Sequence, residues 1–337
     1  MTEERTDFEL LYLSAAGEGW WPVHSLAALA SKLLGARLTV VEDTGVASLP
    51  RRLASMLPRR RSSGRRLLIL AANPGLLAHA ARVSHWFPGY DEVAVWVIDS
   101  FWAEHLSRIG RTGRHFDRFF ITDKQLIGLW KDLTGKPVHW LPWGTDTLGI
   151  EASGDRPVDL LRLGRQPEAW SDNAATIADA AQLGLRVQGG APRGATSEEN
   201  QQILRDAMLS SKCVLAFNNL VSPAKYTHPT RDYVTARWTD SLAAGATVVG
   251  AAPSGAADLL WPGATVEIDP KDRAAGLATL QGYLKEWEPA VAQSHQAKAR
   301  RRLDWRWRLQ ELCEVMGWAQ SDALRRDLAQ LDEHPAH

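Results

Sequence analysis

The segment from Arg231 to Gly250, RDYVTARWTDSLAAGATVVG, places charged side chains ahead of an Ala-Ala-Gly turn and an apolar strand. On one helix, the carboxylates of Asp232 and Asp240 would lie about two turns apart on the same face, with Arg237 beside them. A carboxylate accepts hydrogen bonds from ribose hydroxyls, and a guanidinium binds the oxygens of a diphosphate. The pattern therefore predicts a site for a sugar carried on a nucleoside diphosphate. A helix with an i, i+3 surface ion pair is the alternative interpretation.

Three further motifs occur in order along the chain: HWLPWGTD (His139 to Asp146), LLRLGR (Leu160 to Arg165) and GAADLLWPG (Gly255 to Gly263). With the segment described above, they resemble the signature of the group 1 glycosyltransferases with the GT-B fold (family 4-like), where an E-x7-E pair ends in EAlAaG-PVVg. The tetrapeptide Arg237 to Asp240 is similar to the R-x-x-E of the spore-maturation (CgeB-like) subgroup, with aspartate in place of glutamate. The likeness covers residues 135–270, and before them it extends to the architecture alone.

The resemblance implies a role for each matching residue in binding a nucleotide-sugar donor. Arg165, which follows Gly164, and Arg237 would face the diphosphate. Asp240 would hold the ribose hydroxyls, and Asp232 would lie near the hydroxyls of the transferred sugar. Catalysis would be mostly electrostatic, because positive side chains stabilise the departing nucleoside diphosphate.

Glycines and a polar loop add to the predicted donor site. Gly189 and Gly190 follow the second strand of the C-terminal half and would let the backbone approach the base. The lysine that the family has after its Gly-Arg is absent here. In the loop NNLVSPAKYTHPT and the residue after it, Lys225, His228 and Arg231 would bring positive charge to the β-phosphate instead. A solvated loop is the alternative interpretation.

The N-terminal half offers fewer candidate residues. Gly17 and Gly19 in AAGEGWW follow the first strand, where the family has a glycine loop that faces the acceptor and the donor phosphates. Asp99 ends the strand in VWVIDSFW, at the edge of the sheet that would line an acceptor cleft. We predict an acid/base or sugar-binding role for Asp99, and a capping or structural aspartate is the alternative.

Apolar runs alternate with helical patterns in both halves of the chain, which predicts two parallel sheets covered by helices. The fold class is therefore α/β, with two doubly wound Rossmann-like domains facing across a cleft. We place the N-terminal, acceptor-binding domain at residues 1–150 and the C-terminal, donor-binding domain at residues 151–290. Residues 291–337 form a helical segment predicted to brace the two domains.

Composition excludes several other classes of protein. Lysine plus arginine equals aspartate plus glutamate, at 39 each, so no global charge attracts nucleic acid. The two cysteines have no spacing typical of a zinc site, and we expect neither a metal nor a cofactor. The absence of an apolar N-terminal or membrane-spanning segment predicts a cytoplasmic protein. The basic segment 51–66 is either a peripheral membrane contact or a solvated surface helix.

We expect transfer of a sugar from a UDP- or GDP-sugar to an unidentified acceptor, and the resemblance implies retention of the anomeric configuration. Two alternatives remain open from the sequence. A sugar-nucleotide epimerase with the same architecture would bind the donor without an acceptor. A non-catalytic sugar-nucleotide-binding protein would fit the replacement of glutamate by aspartate.

Overall fold

A computed structural model describes residues 7–15, 17–42, 49–50, 64–82, 89–150, 154–191 and 194–333. The chain divides into two compact units. The first is formed by Met1–Pro142 and Arg306–Ala329, and the second by Trp143–Trp305 and Gln330–His337. The chain therefore passes between the units near residues 142, 305 and 329.

The first unit contains a six-stranded parallel sheet in the order β2-β1-β3-β4-β5-β6. Its strands are β1 Phe8–Leu13, β2 Arg37–Val41, β3 Arg66–Ala71, β4 Glu92–Val97, β5 Arg118–Ile121 and β6 Val138–Trp140. The strand order reverses beside β1, so the carboxyl ends of β1 and β3 form the switch point where ligands bind in such sheets.

The second unit contains a five-stranded parallel sheet in the order β11-β10-β9-β7-β8. Its strands are β7 Val158–Arg162, β8 Val187–Gln188, β9 Ser211–Phe217, β10 Thr247–Ala251 and β11 Thr265–Glu267. Neighbouring residues of β7 pack into different cores, with Leu160 on one side of the sheet and Leu161 on the other. Because both faces are covered, the strands read as apolar runs in the sequence.

Ten α-helices have both ends among the described residues. They are α1 Trp21–Leu34, α2 Ile127–Thr134, α3 Asn173–Gln182, α4 Ser197–Leu209, α5 Ala236–Ala243, α6 Ala256–Leu259, α7 Arg273–Lys285, α8 Pro289–Arg302, α9 Trp305–Met316 and α10 Asp322–Asp332. Local chemistry fixes several helix ends. A proline in the first turn begins α1, and Gly35, with a φ of 63°, ends it in the left-handed conformation that favours glycine.

The sequence pattern predicted most strands within a few residues, but it was wrong about the helix that carries the charged motif. We expected one helix to carry Asp232, Arg237 and Asp240, whereas α5 begins at Ala236 and residues 231–235 are not helical. Asp232 therefore precedes the helix and does not share a helical face with Asp240. The Thr235 backbone, with a φ of −127° and a ψ of 175°, is extended, which explains the late start.

The C-terminal segment consists of three helices with breaks between them. Helix α8 lies in the second unit and packs against α5. The segment Arg306–Ala329 belongs to the first unit. There the ring of Trp318 packs edge-on against Phe8, with centroids 4.8 Å apart, and its indole nitrogen donates a hydrogen bond to Glu92. These contacts attach Trp318 to the first sheet.

Most of the basic segment 51–66 lies outside the described residues, which resume at residue 64. Arg65 forms an ion pair with the buried carboxylate of Glu9, and its guanidinium lies 4.5 Å from the ring centroid of Tyr90. Arg66 begins β3. In the part of the chain that the structure describes, no helix is both long and apolar enough to cross a membrane.

Candidate functional site

The carboxyl ends of β7 and β9 lie side by side because these strands are neighbours, although β8 separates them in sequence. The strand order reverses at this point, which makes it the switch point of the second sheet. Gly164 and Arg165 follow β7 here. The connection from β9 to α5, residues 218–235, begins at the same edge. Topology thus brings together segments that the sequence analysis had assigned to one site.

Arg237 lies in the first turn of α5 and extends its side chain against Gly164. A Cβ atom at position 164 would lie 3.1 Å from Cδ and 3.4 Å from Nη1 of Arg237. Nη1 is buried and has no hydrogen-bond partner among the described residues. Burial, together with the nearby charge of Arg165, lowers the pKa of Arg237 to about 10. A buried guanidinium with an unused donor is costly unless an anion binds there.

Arg165 is held by the segment that follows β9. Its Nε donates to the carbonyl of Ser222 at 3.1 Å, and its Nη1 donates to the hydroxyl of Tyr226 at 2.5 Å. The guanidinium also lies 4.8 Å from the ring centroid of Tyr226. Within the described residues, no carboxylate forms an ion pair with Arg165 or Arg237. Two neighbouring cations without an acidic partner are a candidate anion-binding site.

Asp240, the second acid of the motif, is half-buried rather than exposed. Burial raises its pKa to about 6, while hydrogen bonds from Thr145 and Thr239 and the charge of Arg205 act in the opposite direction. In the described part of the chain, no ion pair joins Asp240 to Arg237, so the expected alternative of an i, i+3 surface pair is not formed. The carboxylate is held by hydroxyl groups and retains capacity to accept further hydrogen bonds.

Asp232, the first acid, binds the loop that follows β10. Its carboxylate accepts hydrogen bonds from the backbone nitrogen of Ser254 at 2.9 Å and from the Ser254 hydroxyl at 2.6 Å. Asp232 is therefore held by Ser254, whereas Asp240 is held by Thr145 and Thr239. The two acids are held separately and do not present a matched pair of carboxylates from one helix.

The polar loop contains residues with different surroundings. His228 is buried, and its Nδ1 accepts hydrogen bonds from the backbone nitrogens of Thr230 and Arg231. The Nη1 atom of Arg231 lies 3.4 Å from Nε2 of the same histidine. Lys225 is exposed. His228 thus shapes the backbone of the loop, while the phosphate contacts predicted for these three residues remain predictions.

Gly189 and Gly190 lie just after β8 at the same edge of the sheet. Gly189 leaves room for Asn173, because a Cβ atom there would lie 2.0 Å from Nδ2 of that side chain. Gly190 has a φ of 138°, a conformation that L side chains rarely adopt. Oδ1 of Asn173 is buried without a hydrogen-bond partner among the described residues. The close approach is to a side chain, and the predicted contact of this backbone with a base is untested.

In the first unit, Gly17 and Asp99 follow β1 and β4 at the carboxyl edge of the sheet. Gly17 has a φ of 114°, which requires glycine, whereas Gly19 is exposed with open space around its Cα. Asp99 is half-buried, and burial raises its pKa to about 8. Its carboxyl group is therefore largely protonated near neutral pH. Such a group is suited to proton transfer, which keeps the predicted acid/base role open.

Four residues of the site were not predicted from the sequence: Ser222, Tyr226, Thr145 and Ser254. Tyr226 had one usable signal, since it is an aromatic residue in a polar loop that follows a predicted strand. The contacts of Thr145 and Ser254 join residues far apart in the chain, and neither has a local pattern that would predict them.

A family described as "Glycosyl transferase-like" matches residues 171–314, which include α5 and the segment that leads to it. A sequence search of curated proteins found no significant match.

Several solved structures are similar to this chain over most of its length. Anabaena HepE, solved in complex with UDP and glucose, has a TM-score of 0.56 and 13% identity over 92% of this chain and 99% of its own. Sucrose-phosphate synthase from Thermosynechococcus elongatus has a TM-score of 0.54 and 12% identity over 92% and 98%. AviGT4, a glycosyltransferase involved in avilamycin A biosynthesis, has a TM-score of 0.52 and 14% identity over 96% and 98%.

These similarities confirm the predicted fold class, an α/β fold with two parallel sheets as in GT-B glycosyltransferases. Sequence identities of 12 to 14% support a shared fold only, so the activity has to be inferred from the residues of the site. A cleft between the domains and the CgeB-like subgroup remain predictions.

Proposed function

We propose that the protein is a glycosyltransferase that moves a sugar from a nucleoside-diphosphate donor to an acceptor. The observation that carries this proposal is the buried Nη1 of Arg237, which has no hydrogen-bond partner among the described residues and lies beside Arg165 and Gly164. The glycosyl transferase-like match over residues 171–314 supports it, as does the GT-B fold.

Arg165 and Arg237 would bind the diphosphate of the donor. In the reaction, the bond between the anomeric carbon and the diphosphate oxygen breaks, and a bond to an acceptor hydroxyl oxygen forms. The departing nucleoside diphosphate gains negative charge, which two guanidinium groups stabilise without first having to rearrange. Arg237 would contribute most in this role because its Nη1 is unpaired and shielded from water.

The two aspartates of the motif would have different tasks. Asp240 would accept hydrogen bonds from the ribose hydroxyls, since its carboxylate is held in place by Thr145 and Thr239. Asp232 would support the loop at Ser254 near the transferred sugar. In the first unit, Asp99 would take the proton of the acceptor hydroxyl. The resemblance to group 1 enzymes favours a retaining outcome.

The first experiment is a thermal-shift screen with UDP, GDP, ADP, CMP and dTDP. A specific nucleoside diphosphate should raise the unfolding free energy by about 2.7 kcal/mol at a hundredfold excess over its Kd. Sugar nucleotides with that base are then incubated with the protein, with and without a panel of acceptors, and products are separated by chromatography.

The proposal predicts release of the nucleoside diphosphate together with a glycosylated acceptor. An epimerised sugar nucleotide without free nucleotide would identify an epimerase instead. Tight binding without turnover across the acceptor panel would identify a binding protein, and no stabilisation by any nucleotide would overturn the proposed site.

A further inference from the structure

Residues 218–231, in the segment between β9 and α5, are joined to one another by hydrogen bonds. We call these residues the 218–231 loop. Oδ1 of Asn218 accepts hydrogen bonds from the backbone nitrogens of Leu220 and Val221. Nδ2 of Asn219 donates to the carbonyls of His228 at 3.1 Å and Arg231 at 2.7 Å. The buried Asn219 therefore joins the two ends of the loop, and these hydrogen bonds restrict the conformation of the residues between them.

Two groups of the 218–231 loop contact Arg165. The carbonyl of Ser222 accepts from Nε, and the Ser222 backbone nitrogen is itself bound to the carbonyl of Asn218 at 3.1 Å. Tyr226 provides both its hydroxyl, to Nη1, and its ring, beneath the guanidinium. A cation over an aromatic ring is attracted to the face of the ring, and the hydrogen bond fixes its direction.

The charge of Arg165 lowers the pKa of the neighbouring Arg237, which means that the two cations repel each other. A long, flexible arginine side chain relieves such repulsion by turning into water. The contacts with Ser222 and Tyr226 oppose that movement. Tyr226 makes these contacts although 69% of its surface is exposed, so its side chain is not needed to fill the core.

We infer that Tyr226 is a positioning residue for phosphate binding, which holds Arg165 close to Arg237 so that one diphosphate contacts both guanidinium groups. This inference rests on the proposed function, because it concerns the same diphosphate site. It adds a residue that neither the motif nor the glycine turn identifies. The hydroxyl and the ring of Tyr226 act on the diphosphate only through Arg165.

The test measures binding of inorganic pyrophosphate by isothermal titration calorimetry, so that the identity of the base does not enter. Tyr226→Ala should weaken pyrophosphate binding about tenfold, and Tyr226→Phe, which keeps the ring, about threefold. Leu220→Ala is the matched control, since Leu220 is also exposed on the 218–231 loop, at 42%. This control should bind pyrophosphate as the wild type does.

A double-mutant cycle separates positioning from a general structural effect. If Tyr226 acts through Arg165, then Tyr226→Ala should cause no further loss of pyrophosphate affinity in an Arg165→Ala background. Additive losses, or wild-type affinity in Tyr226→Ala, would overturn the inference and leave the proposed function intact. Failure of the wild-type protein to bind pyrophosphate or any nucleoside diphosphate would overturn both. Thermal unfolding of each variant checks that it is folded.

Discussion

Gly164 leaves the space that the side chain of Arg237 occupies. Its φ of +67° lies in the left-handed region, and a Cβ atom there would lie 3.1 Å from Cδ of Arg237. The backbone conformation favours glycine at this position, and a Cβ atom there would force the side chain of Arg237 to shift. The Gly-Arg turn after β7 contributes to the site in two ways, because it carries Arg165 and makes room for a second arginine from α5.

Gly164→Ala should weaken pyrophosphate binding about tenfold, because the added methyl group displaces the guanidinium of Arg237 from its place. It should also lower the free energy of unfolding by about 1 kcal/mol or more, owing to the strained backbone. Calorimetry measures the first effect, and urea denaturation measures the second.

Gly184→Ala is a matched control for that substitution. Gly184 lies in the same unit, has a φ of +75°, and has no atom within 4 Å of an added Cβ. It should show a similar loss of stability with unchanged pyrophosphate affinity. If both variants lost affinity equally, the effect would come from general destabilisation and not from Arg237.

Arg237→Met should stabilise the unliganded protein while it removes phosphate binding. The substitution replaces a buried cation that forms no ion pair among the described residues by an apolar side chain that can still pack against the Trp238 ring, whose centroid lies 5.3 Å from the guanidinium carbon. The cost of desolvating the charge therefore disappears. We expect the free energy of unfolding to rise by about 1 to 3 kcal/mol in urea denaturation at neutral pH. A clear loss of stability would indicate that Arg237 has a structural partner and is not held ready for an anion.

Asp240→Asn should change how stability depends on pH. The folded-state pKa of about 6 lies above the unfolded value of about 3.9. The stabilising contribution is therefore full below the unfolded pKa and is lost as pH rises through 6. Between pH 5 and pH 7.5, the wild type should lose about 1 to 2 kcal/mol relative to Asp240→Asn. Parallel urea curves at these two pH values test this, and a constant difference would place Asp240 in contact with water.

Asp99→Asn tests the proposed base. With a pKa of about 8 in the free protein, the wild-type kcat/KM should rise with pH up to about that value. Asp99→Asn should lower kcat/KM about a hundredfold or more and remove this pH dependence. Asp123→Asn is the control, because Asp123 follows β5 at the same sheet edge and caps the turn at Gln125. A control with the same altered profile would argue against a specific role for Asp99.

The strands could be predicted because the burial of a strand is visible in its own sequence. Both β3 and β4 are buried along nearly their whole length, so each appears as a continuous apolar run. The Gly-Arg turn after β7 was similarly visible. Its positive-φ glycine and the following arginine are neighbours in the chain, and their places follow from the end of the strand.

The roles of the two motif aspartates could not be read from their spacing. A separation of two helical turns suggested one shared face, but Asp232 is held outside α5 by Ser254, which follows another strand. Asp240 is half-buried, and Thr145, from a distant segment, forms a hydrogen bond with its carboxylate. Both arrangements depend on contacts between residues far apart in sequence, which a local pattern does not encode.

The central claim is that Arg237 binds the diphosphate of the donor. It is tested most directly by calorimetric titration of the best-stabilising nucleoside diphosphate, and of its parent nucleoside, into the wild type and Arg237→Ala. Loss of charge-assisted hydrogen bonds should weaken diphosphate binding by about 1.5 to 3 kcal/mol, or roughly ten- to a hundredfold, and leave nucleoside binding unchanged. Equal weakening of both ligands, or no change for either, would contradict the claim.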